Sequence, residues 1–149
     1  MARRSLANSG RRRATSGREQ KPATTRSAEV VLDIDVERDR VHLVLANCGD
    51  AVATTIRVEF SRPLHGPDGS SSIGTLPVFA ELGVLRPGRE LRIFWDAAQS
   101  LLGRRDDTSF VATVSWDERE RPRQRAEYRH DLSIYRQWPT CVGPEPSAP

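Results

Sequence analysis

Lysine and cysteine are nearly missing from this chain. Of its 23 Lys+Arg residues only Lys21 is a lysine, and Cys48 and Cys141 are the two cysteines. Two thiols cannot build a disulfide framework, nor by themselves a four-ligand structural zinc site. No apolar run approaches the roughly 18 residues needed to cross a bilayer. The first 26 residues are basic, but they lack the apolar stretch and small-residue cleavage site of a secretion signal. A disulfide miniprotein, a collagen-like chain and an integral membrane protein are thereby excluded, and the expected compartment is the cytoplasm. What is present is 149 residues with 37% hydrophobic content, enough for one core of about a hundred residues.

Charge is unevenly placed. Arg3, Arg4, Arg11, Arg12, Arg13, Arg18, Lys21 and Arg26 face a single acid, Glu19, so residues 1–26 carry +7 and the remainder −4, for the total of +3. With Leu6 as its one large apolar side chain, this segment buries too little surface to offset the entropy of ordering, and residues 1–27 are expected to be a disordered arm. The four prolines between Pro139 and Pro149 mark residues 139–149 as an irregular tail. The folded domain is expected over residues 28–138.

Within that span the dominant period is two, as a half-buried strand requires. Val30, Leu32, Ile34 and Val36 alternate with Val31, Asp33 and Asp35, and Val41, Leu43 and Leu45 follow after the polar link Arg38-Asp39-Arg40. Asn47-Cys48-Gly49-Asp50 reads as a turn, since Asn and Gly tolerate positive φ. Val52, Thr54, Ile56, Val58 and Phe60 form a third alternating run, and residues 61–75, rich in Pro, Gly and Ser, a long loop. A short strand at 78–85 leads into Arg86-Pro87-Gly88-Arg89, with Pro and Gly placed for a type II turn. Leu91, Ile93 and Trp95 share a face. Asp96-Ala-Ala-Gln99 resembles a capping box opening about two turns of helix over 96–103. Phe110, Ala112, Val114 and Trp116 then alternate, Asp117 to Arg125 reads as a polar hairpin tip, and Tyr128, His130, Leu132 and Ile134 make a last strand. About seven short strands with turns between them predict an all-β antiparallel sandwich. Its core is expected from Leu32, Ile34, Leu43, Leu45, Ile56, Val58, Phe60, Leu91, Ile93, Trp95, Phe110, Val114, Trp116, Leu132 and Ile134.

The arrangement Val41-x-Leu-x-Leu45-x-Asn47-x-Gly49-x-x-x-Ala53-x-x-Ile56-x-Val58 resembles the strand–turn–strand signature of bacterial immunoglobulin-like adhesion and accessory domains of the CARDB type. The turn Leu85-Arg-Pro-Gly88 before an alternating strand is similar to that group too. The resemblance spans residues 29–134. It implies an immunoglobulin or fibronectin-like topology and a non-catalytic role in binding or spacing. The antibody-type cysteine pair is missing, because Cys48 falls in a turn and Cys141 in the tail.

Few residues fit a reactive pattern. His42, His65 and His130 show neither the H-E-x-x-H nor the paired spacing of a zinc site, and read as strand or loop residues. Neither cysteine has an evident neighbour to lower its pKa. Ser70-Ser71-Ser72 lacks the glycines of a nucleophile elbow, and no glycines form a phosphate loop. Asp33, Asp35, Glu37 and Asp39 offer oxygens of the type calcium takes, but Arg38 and Arg40 intervene, so they read as a solvated face. No enzyme activity, metal or cofactor is expected.

Two surfaces suit binding. The eight arm cations, Arg3 through Arg26, suit nucleic-acid phosphates, because clustered guanidinium groups release counterions and pair bidentately with phosphate. The hairpin that carries Arg119, Arg121, Arg123 and Arg125 beside Tyr128, with Tyr135 and Trp138 beyond, offers the Arg and aromatic side chains enriched at interfaces. The expected function is a non-catalytic interaction or accessory module for an unidentified protein partner. The alternative is a protein attached to DNA or RNA through its arm.

Overall fold

The computed structural model describes residues 25–104 and 108–137, so the expectations for residues 1–24 and for the C-terminal tail lie outside the described residues. Strands form where the sequence alternates. β1 (Val30–Glu37) and β2 (Arg40–Asn47) pair from Val30↔Asn47 to Glu37↔Arg40, leaving only Arg38 and Asp39 as the link. Arg38 takes φ 56°, the left-handed conformation that a two-residue hairpin turn demands and that glycine usually supplies. β3 (Ala53–Phe60), β4 (Leu82–Leu85), β5 (Glu90–Ala97), β6 (Ser109–Glu118) and β7 (Arg121–Asp131) follow. They form two antiparallel sheets in the orders β1-β2-β5 and β4-β3-β6-β7. The architecture is an all-β sandwich. Leu32, Leu43 and Leu45 from one sheet meet Ile56, Phe110, Val114 and Trp116 from the other, all buried, each such side chain contributing about 1.5–3 kcal/mol.

Bulges account for three departures from simple alternation. In β3 the register against β6 shifts between Thr54 and Arg57, and Thr55 has φ 49°. The extra residue turns Ala53 and Ile56 both inward and leaves Val52, expected in phase with Ile56, exposed. In β5, Val41 faces Asp96 while His42 faces Phe94, so Trp95 and Asp96 are both buried. In the β6–β7 hairpin the register shifts between Trp116 and Glu118, next to Pro122, where the missing N–H is tolerated. The hairpin tip is only Arg119 and Glu120, because the ladder runs on where a long polar tip was expected.

Three further expectations are corrected. The segment 78–85 is not one strand: Pro77–Ala80 is a single helical turn, α1, with Pro supplying the starting φ. It drives Phe79 into the core edge-on to Phe60 at 5.2 Å. The helix near 96–103 is α2 (Ala98–Gly103), whose N-terminus has no side-chain cap. The Asp96 carboxylate instead pairs with Arg104 and accepts the Ser100 hydroxyl at 3.1 Å. Ile134 is 63% exposed, because the chain leaves β7 for a 3-10 turn over Leu132–Gln137. A period near three buries Leu132 there and turns Ile134 out. The 61–75 loop is also folded, holding Leu64 and Ile73 in the core through an Ile73 N–H bond to the Leu64 carbonyl at 2.7 Å.

Asn47, at the end of β2, is 1% exposed. Its Oδ1 accepts the Glu29 N–H at 3.2 Å and the Gly49 N–H at 3.1 Å. Its Nδ2 donates to the Ala51 carbonyl at 2.8 Å and the Leu85 carbonyl at 2.9 Å. One side chain thus joins the segment before β1, the β2–β3 loop and the end of β4. Gly49 does not use positive φ, nor does Asn47. Glycine is required there because a Cβ would fall on the Ser27 carbonyl oxygen and come within 2.5 Å of the Glu29 nitrogen.

Replacing Asn47 by Ala strands one buried and three part-buried backbone groups, and the expected cost is about 2–3 kcal/mol. Chemical denaturation of full-length Asn47→Ala and Gly49→Ala should show both well below the parent. A Gly49→Ala variant of parental stability would contradict the close approach of residues 27–29.

Candidate interaction surface

Antiparallel pairing brings four segments to one end of the sandwich: residues 25–29, the β2–β3 loop, the β4–β5 turn and the β6–β7 tip. The incoming chain is clamped there from both sheets. Ser27 donates its N–H to Asp50 at 2.7 Å, and its carbonyl accepts the Asp50 and Ala51 N–H groups at 2.9 and 3.3 Å. Ala28 donates to the Glu118 carboxylate at 3.1 Å, which also receives the Trp116 indole at 3.4 Å. Arg121 lies 3.8 Å from Glu118 and donates to the Ser27 hydroxyl at 3.1 Å. Glu118 is buried, and these partners offset the loss of its hydration. The turn Arg86-Pro87-Gly88-Arg89 closes with an Arg89 N–H bond to the Arg86 carbonyl at 3.1 Å, with Gly88 at φ 70°. It is tied to the backbone of Asn47 by bonds of 2.9 and 3.0 Å.

Four arginines project from this clamped end: Arg26, Arg86, Arg89 and Arg119 are exposed, and among the described residues none of their guanidinium groups is in an ion pair or hydrogen bond. Glu29 and Glu120 are exposed beside them. Sequence reasoning singled out Arg26 and Arg119 but missed Arg86 and Arg89, which it read only as flanks of a type II turn. Arg3, Arg4, Arg11, Arg12, Arg13, Arg18 and Lys21 lie outside the described residues.

The hairpin residues separate. Arg121 is drawn into the Glu118–Ser27 clamp. Arg123 lies along the outer face of the sheet, bonding Asp117 at 3.0 Å, the Ser115 hydroxyl at 2.9 Å and the Thr55 carbonyl of the bulge at 3.3 Å. Arg125 pairs with Glu127 at 3.4 Å. Tyr128 points the other way, donating its hydroxyl to the Val30 carbonyl at 2.9 Å. Of the four hairpin arginines, Arg119 alone has no partner among the described residues.

His130 and several acids are engaged within the fold, whereas the Nδ1 of His42 is buried without a hydrogen-bond partner. His130 Nε2 sits 3.1 Å from the Leu32 carbonyl, and its ring lies 5.1 Å from that of Phe110. Burial holds its pKa below the ordinary 6.5, against the opposing pull of that carbonyl and of Asp33. Burial likewise raises the Tyr128 phenol. His42 packs against the exposed Phe94 ring at 5.9 Å, and the His65 carbonyl accepts the Trp95 indole at 2.9 Å. Asp35 and Glu37, considered as calcium ligands, both face Arg92. The described residues include no group of three His, Cys, Asp or Glu placed to hold a metal. A groove of about 410 Å³ opens beside Ser61, Val111, Arg129 and Asp131. Asp131 there accepts the Ser133 N–H and the Thr108 hydroxyl, both at 2.9 Å, which lowers its pKa. No helix among the described residues is long and apolar enough to cross a membrane.

Fold and surface define a small antiparallel β-sandwich with one end built from interlocked loops. The profile of the family described as Domain of unknown function (DUF8453) matches residues 2–136, and the chain belongs to that family. A search of curated proteins finds no match.

The seam between the sheets should be acid-sensitive. The unfolded His130 takes a proton near pH 6.5 while the folded one resists, so stability is full above that pH and falls as pH drops through it toward the lower folded value. Melting temperatures at pH 7.5 and 5.0 should differ more for the parent than for His130→Gln. Parallel profiles would remove His130 as the cause. Tyr128→Phe should cost about 1 kcal/mol at neutral pH.

Proposed function

We propose that the chain is a non-catalytic interaction module on an immunoglobulin-like sandwich, presenting its clamped loop end to a protein partner. The observation that carries this reading is the division of labour among polar side chains. His130, Tyr128, Asp96, Asp131 and Asn47 are spent on bonds within the fold, while the loop end is held rigid and projects unpaired side chains. The strand order, β1-β2-β5 against β4-β3-β6-β7, supports the immunoglobulin or fibronectin-like resemblance, in which loops gather at the ends of two Greek-key sheets. Rigid loops favour binding because little conformational entropy is lost on docking.

A second reading, attachment to DNA or RNA through the N-terminal cations, is favoured by the exposed arginines where that segment joins the sandwich. The two readings part on a positional test. A photo-crosslinking residue at Arg86 or Glu120 should give a discrete protein adduct in cells, and the same residue at Ser70 or Gln99, at the far end, should not. Equal adducts from both ends, or none from either, would remove the protein-partner reading.

A further inference from the structure

We propose that Arg86, Arg89 and Arg119 form, with Arg26, a folded seat for a nucleic-acid phosphate backbone, continuous with the N-terminal arginine segment. The inference rests on the second reading above and assigns it residues in the sandwich. Of the other described arginines, Arg57, Arg92, Arg104, Arg121, Arg123 and Arg125 are in ion pairs, Arg62 and Arg136 bond backbone carbonyls, and Arg38, Arg40 and Arg129 are exposed singly or as a pair elsewhere on the sandwich. The four at the loop end keep every guanidinium donor free, and they come from three separate segments that the Asn47 and Ser27 bonds lock together.

The local acids explain why seat and segment must act jointly. Glu29, Asp50 and Glu120 share this end, and although Asp50 is engaged by the Ser27 N–H, their charges leave the folded end close to neutral by itself. Seven further cations, from Arg3 to Lys21, precede Thr25 on the same strand of chain, and they shift the balance decisively toward polyanions. Ser27 is fixed between Asp50 and Glu118, so Thr25 and Arg26 join the sandwich at the end that carries Arg119 and the 86–89 turn. Arginine suits this role because its planar fork pairs bidentately with phosphate. A membrane surface is the less suitable anion, because the segment has only Leu6 to insert among acyl chains.

The test is fluorescence anisotropy of full-length protein with a labelled 20-base-pair DNA and a 20-nucleotide RNA, between 50 and 200 mM salt. Arg86→Ala/Arg89→Ala/Arg119→Ala should lower affinity roughly tenfold or more and reduce the salt slope by about two to three, close to one for each arginine withdrawn from a phosphate. The control is Arg38→Ala/Arg40→Ala/Arg129→Ala, which removes the same charge from exposed arginines away from this end and should change affinity less than threefold. An equal loss in the control would overturn the seat, because only net charge would then matter. A variant with the seven cations from Arg3 to Lys21 replaced by Ser should lose most binding. If that variant loses binding while the 86/89/119 variant matches the parent, the seat is overturned and the segment alone holds nucleic acid. Failure of the parent to bind either probe, or preferential binding to vesicles of phosphatidylserine and phosphatidylcholine, would overturn both. Circular dichroism melts within a few degrees of the parent confirm that the variants fold.

Discussion

The buried amide of Asn47 is the constraint on which this sandwich turns. A primary amide offers two donors and two acceptor lone pairs, and here all four positions are filled by backbone from three different segments. Burial of the amide makes these bonds hard to forgo, since its own donors and acceptor have no water to turn to, nor has the Leu85 carbonyl. The consequence is architectural. The entry to β1, the β2–β3 loop and the end of β4 cannot move independently, and the β4–β5 turn follows them through the backbone of Asn47 itself. Gly49 completes the arrangement by omitting a side chain where residues 27–29 cross it.

On that frame the two sheets are joined by different means on their two sides. Along one side, Tyr128 and His130 of β7 reach the carbonyls of Val30 and Leu32 in β1. On the other, the 61–75 excursion is fastened by the Trp95 indole and by Arg104, whose partner Asp96 is buried by the β5 bulge. The charged side chains that look most available for chemistry are thus largely structural, and four of the unpaired arginines among the described residues meet at the loop end.

Much of the fold was legible because burial follows a period of two wherever a strand is regular. Val30, Leu32 and Ile34, or Phe110, Ala112, Val114 and Trp116, state their own orientation. Legibility failed where the backbone inserted a residue: nothing in Thr54-Thr55-Ile56 signals the bulge that exchanges Val52 for Ala53, and Asp96 looked like a helix cap because the β5 bulge that buries it leaves no compositional mark. It failed again at Ile134, where strand gives way to a 3-10 turn without a break in the apolar pattern. At the loop end, Asn47 and Gly49 were recognisable as turn residues, but their duty is long-range bonding and close approach, which a local pattern does not encode. Arg86 and Arg89 were hidden for a similar reason. Their turn type can be read from Pro87 and Gly88, whereas their proximity to residue 26 depends on contacts far apart in sequence.

The Tyr128 and His130 bonds also bear on how these molecules behave in a crowd. β1 is the outermost strand of its sheet, a position that ordinarily exposes a row of vacant acceptors to any passing extended chain. With the Val30 and Leu32 oxygens already capped from within, a neighbour finds the first two acceptors of that margin taken, and edge-to-edge growth from molecule to molecule is disfavoured along that half of β1 by two side chains of the protein's own.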